Sequence, residues 1–122
     1  MKFHGFRYVV LVWLGWLFVV GCHQPNNTVL GKAPEGETQT ILSVKTGPGA
    51  SPVTIQGVMI EKCPVAGCWF YLRDNTGVIK VDTKSAGFVV LDVPLQSRLT
   101  VTGRKSVDNG SEVTVAATGV RY

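Results

Sequence analysis

The chain has 122 residues, twelve Lys/Arg against eight Asp/Glu for a formal net charge of +4 at neutral pH, and 45% hydrophobic residues. That length holds one small domain with a modest core. So weak a positive charge excludes recognition of nucleic acid or an anionic membrane by charge alone. At the N-terminus, Lys2 and Arg7 precede an apolar run from Tyr8 to Val20. A short basic segment followed by about 7–15 apolar residues reads as a secretory signal. The run is shorter than the roughly 20 apolar residues needed to span a bilayer.

The run closes on Val19-Val20-Gly21-Cys22, which resembles the lipobox of bacterial lipoproteins. The resemblance implies residues 1–21 as a signal peptide, cleavage before Cys22, and a diacylated Cys22 as the mature N-terminus. It also implies an extracytoplasmic place in the bacterial cell envelope, anchored to the membrane. Each buried acyl CH₂ contributes about 0.8 kcal/mol, so multiple chains hold firmly. Removing Lys2 and Arg7 with the signal lowers the net charge to about +2. With Cys22 lipidated, Cys63 and Cys68 remain as an even pair in an oxidising compartment.

Residues 22–52 are rich in Pro, Asn, Gly, Thr, Glu and Gln and read as a lipidated Cys followed by a flexible tether. Within it, Ile41-Leu42-Ser43-Val44 is expected as a short strand at the domain edge, broken by Gly47-Pro48-Gly49. The domain proper is expected over 53–122, and every element in it reads as β. Val53 to Lys62 is β-branched and forms a first strand, with Gly57 as a bulge or bend. Cys68 to Arg73 is the second strand and Val78 to Asp82 the third, joined by the Asp74-Asn75-Thr76-Gly77 turn. Thr83 to Ser97 is a long irregular connection. Arg98 to Val107 and Glu112 to Arg121 are the last two strands, around the Asp108–Ser111 turn.

Five strands with the one long connection between the third and fourth give an all-β class: a five-stranded OB-like Greek-key barrel. Phe70, Leu72, Ile79, Val81, Leu99, Val101, Val113 and Val115 are the expected core. Two resemblances meet at the second strand. Trp69-Phe70-Tyr71-Leu72-Arg73-Asp74, followed by Thr76-Gly77-Val78-Ile79-Lys80-Val81, resembles the strand 2–turn–strand 3 signature of anticodon-binding-type OB domains. In those, an aromatic at the position of Trp69 stacks on a nucleobase. Cys63-Pro64-Val65-Ala66-Gly67-Cys68-Trp69, with Gly87-Phe88-Val89-Val90 and Val101-Thr102-Gly103, resembles an uncharacterised family of small secreted bacterial OB-like proteins. That family carries a Cys-x4-Cys-Trp hairpin and brings no known activity.

Cys63 and Cys68 flank a four-residue hairpin loop, so they can face each other across an antiparallel pair and close a disulfide. Alternation along the second strand puts Trp69 and Tyr71 on one face and Phe70 and Leu72 on the other. Trp69, Tyr71, Arg73 and Lys80 are therefore the candidate ligand-binding residues, a platform for a base, a sugar or an apolar group. A packing role for Trp69, beneath the disulfide or the long connection, is the competing reading. The mature chain has two thiols and only His23, beside the anchor, against the four N/S ligands zinc wants. No metal and no cofactor are expected, although Met59, Cys63 and Cys68 together could hold a soft ion such as Cu(I). No catalytic residues are expected either, since no His is available for a triad and no phosphate-binding glycine loop is present. The expected function is a membrane-anchored, non-catalytic binding module for an envelope protein or cell-wall component. The alternatives are an oligonucleotide-binding OB domain and a metal-handling or thiol-redox lipoprotein.

Overall fold

The computed structural model describes residues 28–48, 52–108, 110 and 112–122. The expected signal segment and the expected lipidation site at Cys22 lie outside them. The elements in chain order are β1 (Val29–Gly31), β2 (Thr38–Gln39), α1 (Ile41–Thr46), β3 (Pro52–Lys62), β4 (Trp69–Arg73) and β5 (Val78–Asp82). A 3-10 turn (Lys84–Ala86), β6 (Arg98–Asp108) and β7 (Glu112–Arg121) complete the fold. Among the described residues no helix is long and apolar enough to cross a membrane.

β3 to β7 are the five strands expected from the sequence, and they close. β3 pairs with β4, β4 with β5, β6 with β3 and β6 with β7, all antiparallel. The ring is completed by the parallel pairing of β5 with β7, from Lys80 opposite Thr114 to Asp82 opposite Ala116. This is an OB-like barrel. β3 belongs to both halves: Pro52–Val58 pair with β6, and Val58–Lys62 pair with β4. It must bend where the halves overlap, and Gly57 stands there; a Cβ at this position would run into the carbonyl of Arg73. The register shift lies a little further on, between Met59 and Glu61, which sharpens the local twist.

Alternation sends Ile55, Met59, Phe70, Leu72, Ile79, Val81, Leu99, Val101 and Val115 into the barrel, where all are buried. Each contributes roughly 1.5–3 kcal/mol by leaving water. Val113 is only partly buried, because it sits near the turn of the β6–β7 hairpin, beyond the last parallel pair of the ring.

Two expectations ahead of the five barrel strands also differ from the structure. Ile41–Val44, read as a strand, begins helix α1. Its apolar residues are buried at Ile41 and Val44, a three-residue spacing that suits one helical face as well as β-branched composition suits a strand. Tertiary contacts decide between them. Thr40 Oγ1 accepts from Ser43 N at 3.1 Å, Asp74 Oδ2 accepts from Ile41 N at 2.9 Å, and Thr76 Oγ1 accepts from Leu42 N at 3.1 Å. At the other end, Lys105 Nζ donates to the carbonyls of Lys45 and Gly47 at 3.3 and 2.7 Å. A six-residue helix is too short to stand alone; here the barrel supplies its caps at both ends.

The segment read as tether also carries structure from Val29 onward. β1 pairs with the end of β7, from Val29 opposite Arg121 to Gly31 opposite Gly119, and β2 runs parallel to β3. Polar composition concealed this, because the segment is held by backbone pairing and by the Thr54 and Thr102 hydroxyls, which bond to Glu35.

Asp74 ties the β4–β5 turn to α1, since its Oδ1 also accepts from Thr76 N, Thr76 Oγ1 and Gly77 N at 2.7, 2.6 and 3.1 Å. Partial burial pushes its pKa up, but the bonds from Thr76, Ile41 and Gly77 outweigh this and hold the carboxyl below its usual range. A depressed carboxyl contributes fully above its unfolded pKa of about 3.9, and the contribution is lost as pH falls through the folded value. Asp74→Ala is expected to cost about 1–3 kcal/mol at pH 7. Urea denaturation at pH 7 and below pH 4 checks this: the gap between variant and wild type narrows in acid.

Candidate functional site

Alternation along β4 has a direct consequence for its outer face. With Phe70 and Leu72 fully buried, Trp69 and Tyr71 stand outside, both half-buried. Tyr71 is in register with Lys80 on β5 and with Glu61 on β3, and Trp69 is in register with Asp82. The Trp69 and Tyr71 rings meet edge-on, with centroids 5.7 Å apart and planes at 74°. Lys80 Nζ lies 5.6 Å from the Trp69 ring centroid, within reach of a cation–π contact. Asp82 spends one carboxylate oxygen on Lys84 N at 2.8 Å. Three of the four expected site residues are thus one cluster: an amphipathic ring pair, an ammonium beside it, and carboxylates on both flanks.

Arg73 stands apart. It shares the outer face of β4 but lies at the far end, four residues from Trp69, or about 13 Å along an extended strand. Its neighbour is Arg98, which the sequence did not single out. Val58 is in register with Arg73 on one side and with Arg98 on the other. Both arginines line an open cleft of about 500 Å³ with Gln56, Gly57 and Thr40. No local pattern brings them together, since 25 positions separate them in the chain; only closure of the barrel at Val58 does. A larger open cleft of about 650 Å³ lies under the 32–37 loop. The hydroxyls on its floor, Thr54 and Thr102, already bond each other at 2.8 Å.

At the other end of β4 is the cysteine hairpin. Cys63 and Cys68 are free thiols in this structure. They are not the direct cross-strand pair that the spacing predicts. Cys63 N donates to Trp69 O at 3.1 Å, and Cys68 O accepts from Thr83 N at 2.9 Å, so Cys68 sits one place further into the loop. The loop folds back on Cys63: Gly67 N donates to its carbonyl at 3.1 Å, and Ala66 N to its Sγ at 3.4 Å. The Cys63 thiol is lowered from 9.0 to about 7, chiefly by the amides of Ala66 and Val65. Slight desolvation opposes this; the Gly67 amide and the Cys68 side chain assist it. Met59 is sealed in the barrel core and cannot join the thiols around a soft ion. Among the described residues no three His, Cys, Asp or Glu side chains converge as a metal site.

The hairpin rests on the long connection. Val90 N donates to Gly67 O at 2.9 Å. Gly67 has φ +62°, and a Cβ there would strike Leu91. Lys62 Nζ donates to the carbonyls of Val90, Leu91 and Val93 at 3.4, 2.8 and 2.5 Å, pinning the two buried valines that plug this end of the barrel.

Neither a protein-family model nor a curated protein matches the chain. Among solved structures it is similar to the hypothetical protein ygiW from E. coli, at 21% identity and a TM-score of 0.55. The match covers 72% of this chain and 91% of that one. At this identity the likeness carries the fold alone, the OB-like barrel.

Lys62→Met keeps the apolar stem and removes the three donors. It is expected to cost about 1–2 kcal/mol and to speed hydrogen exchange at the Val90 amide, with little change in the β6–β7 ladder. Exchange measured by NMR checks both parts.

Proposed function

We propose that this chain is a membrane-anchored envelope lipoprotein whose OB-like barrel is a non-catalytic binding module for an envelope protein or cell-wall component. The observation that carries the reading is the half-buried Trp69–Tyr71 pair with Lys80 on the outer face of β4 and β5. OB barrels commonly receive ligands on this strand pair and its flanking loops. Large rigid rings with one polar edge provide contact area at low entropic cost. The anchoring half of the proposal rests on the basic segment, the apolar run and the Val-Val-Gly-Cys motif ending at Cys22.

An oligonucleotide is the poorer fit. Glu61 stands in the Tyr71–Lys80 row and Asp82 in the adjoining Trp69 row, so the face lacks the positive groove that tracks a phosphate backbone. A protein surface or a neutral glycan meets the same rings without that penalty.

Two measurements test the halves separately. Cys22→Ser is expected to abolish incorporation of labelled fatty acid and to block processing; incorporation that persists removes the anchor. For binding, a photo-crosslinking residue at Tyr71 in intact cells should capture an envelope component, while one at Glu37, in the separate cleft under the 32–37 loop, should not. Trp69→Ala should weaken that capture, with a loss of about 1–3 kcal/mol if a ring stacks there. Equal capture at both positions, or a steeply salt-dependent affinity for single-stranded oligonucleotides, would overturn the protein or glycan reading.

A further inference from the structure

We propose that the Cys63–Cys68 hairpin is a thiol–disulfide exchange site, with Cys63 as the attacking sulfur, Cys68 as the resolving one, and disulfides as its substrates. This goes beyond the binding role above and does not depend on it.

The geometry points to it in four ways. Both cysteines flank one four-residue loop and are half-buried, so the resolving thiol belongs to the same short hairpin as the attacking one. The loop turns its backbone amides toward Cys63, with Ala66 N at 3.4 Å from Sγ. Amides directed at a sulfur favour its thiolate, as they favour other anions. This is the cause of the lowered Cys63 pKa described above. The approach is open: Val65 in the middle of the loop is 86% exposed. Finally, the strands around the loop are held from outside it, by Lys62 and by the Gly67–Val90 bond. The loop is therefore anchored by contacts other than a sulfur–sulfur bond, which suits a pair that opens and closes.

The step balances as follows. The Cys63 thiolate attacks one sulfur of a substrate disulfide; that S–S bond breaks, and the first substrate sulfur leaves as a thiolate that takes up a proton. Cys63 is left in a mixed disulfide. Cys68 gives up its proton to solvent and attacks the Cys63 sulfur, expelling the second substrate thiolate, which is protonated in turn. One substrate disulfide is reduced by two electrons to two thiols, and the hairpin is oxidised by two electrons to a disulfide. The reverse sequence donates the disulfide to a dithiol.

The test uses the full chain in glutathione buffers, quenched with acid and digested with trypsin. Cleavage after Lys62 and Arg73 releases Cys63–Arg73, which holds both thiols and no other cysteine. Its mass is expected to shift by two hydrogens as the glutathione ratio is raised and lowered, reversibly. Cys68→Ser should trap glutathione on Cys63. In the wild type, alkylation of Cys63 at pH 7 should run about 3-fold faster than in the urea-unfolded chain, the gain in thiolate being offset in part by lower intrinsic nucleophilicity. Comparing glutathione disulfide with a disulfide-linked apolar peptide separates the substrate sources: faster exchange of the peptide assigns a polypeptide substrate, the converse a low-molecular-weight one. Three results would each overturn the proposal. They are a peptide that stays reduced at every ratio, a bridge that reduced glutathione cannot reopen, and a Cys63 alkylation rate no faster than in the unfolded chain.

Discussion

The barrel depends on β3 serving two sheets at once. Val58 is in register with Arg73 of β4 on one side and Arg98 of β6 on the other, and the chain bends there because Gly57 has no Cβ to meet the Arg73 carbonyl. Without that bend, β3–β5 and β6–β7 would be separate ribbons, each with an apolar face and open edges. With it, the parallel contact of β5 and β7 closes the ring, and one set of inward side chains fills it.

Closure leaves two open ends, and they are stopped in different ways. At the β4–β5 turn the stopper is α1, with Ile41 and Val44 buried. At the cysteine hairpin it is the connection from β5 to β6, with Val90 and Val93 buried. Neither stopper is regular enough to hold itself. Each is fastened by charged side chains directed at the backbone: Asp74 and Lys105 on the helix, Lys62 on the connection. Charged groups that satisfy amides or carbonyls in this way give stronger bonds than neutral pairs while fixing where a loosely patterned segment lies.

These two arrangements also place the chemistry. Alternation on β4 turns Trp69 and Tyr71 outward because Phe70 and Leu72 must turn inward. The cysteine hairpin runs directly into Trp69, so the thiols and the aromatic face share one end of the same strand. Arg73 is carried to the opposite end, where closure gives it Arg98 as a neighbour. The outer surface of β4 is thus divided: an aromatic and sulfur-bearing end beside the plugged mouth, and a basic end beside the helix.

What the sequence determined alone was local. The boundaries of the five barrel strands were legible because β-branched runs are separated by Asp-Asn-Thr-Gly and Asp-Asn-Gly-Ser turns. The inward and outward sets of β4 were legible because side chains alternate with a period of two. The closeness of Trp69, Tyr71 and Lys80 followed from one hairpin register. What tertiary structure decided was everything that depends on a partner distant in the chain. Ile41–Thr46 is a helix because Asp74 and Thr76, more than thirty residues away, cap its first turn. Residues 29–39 are part of the barrel because β7 and β3 offer them unfilled pairing positions. Cys63 opposes Trp69 rather than Cys68 because the loop folds back on its own sulfur. Arg98 meets Arg73 only because β3 bends at Gly57. Periodicity reports which way a side chain faces; it carries no information about which distant backbone will supply the other half of a hydrogen bond.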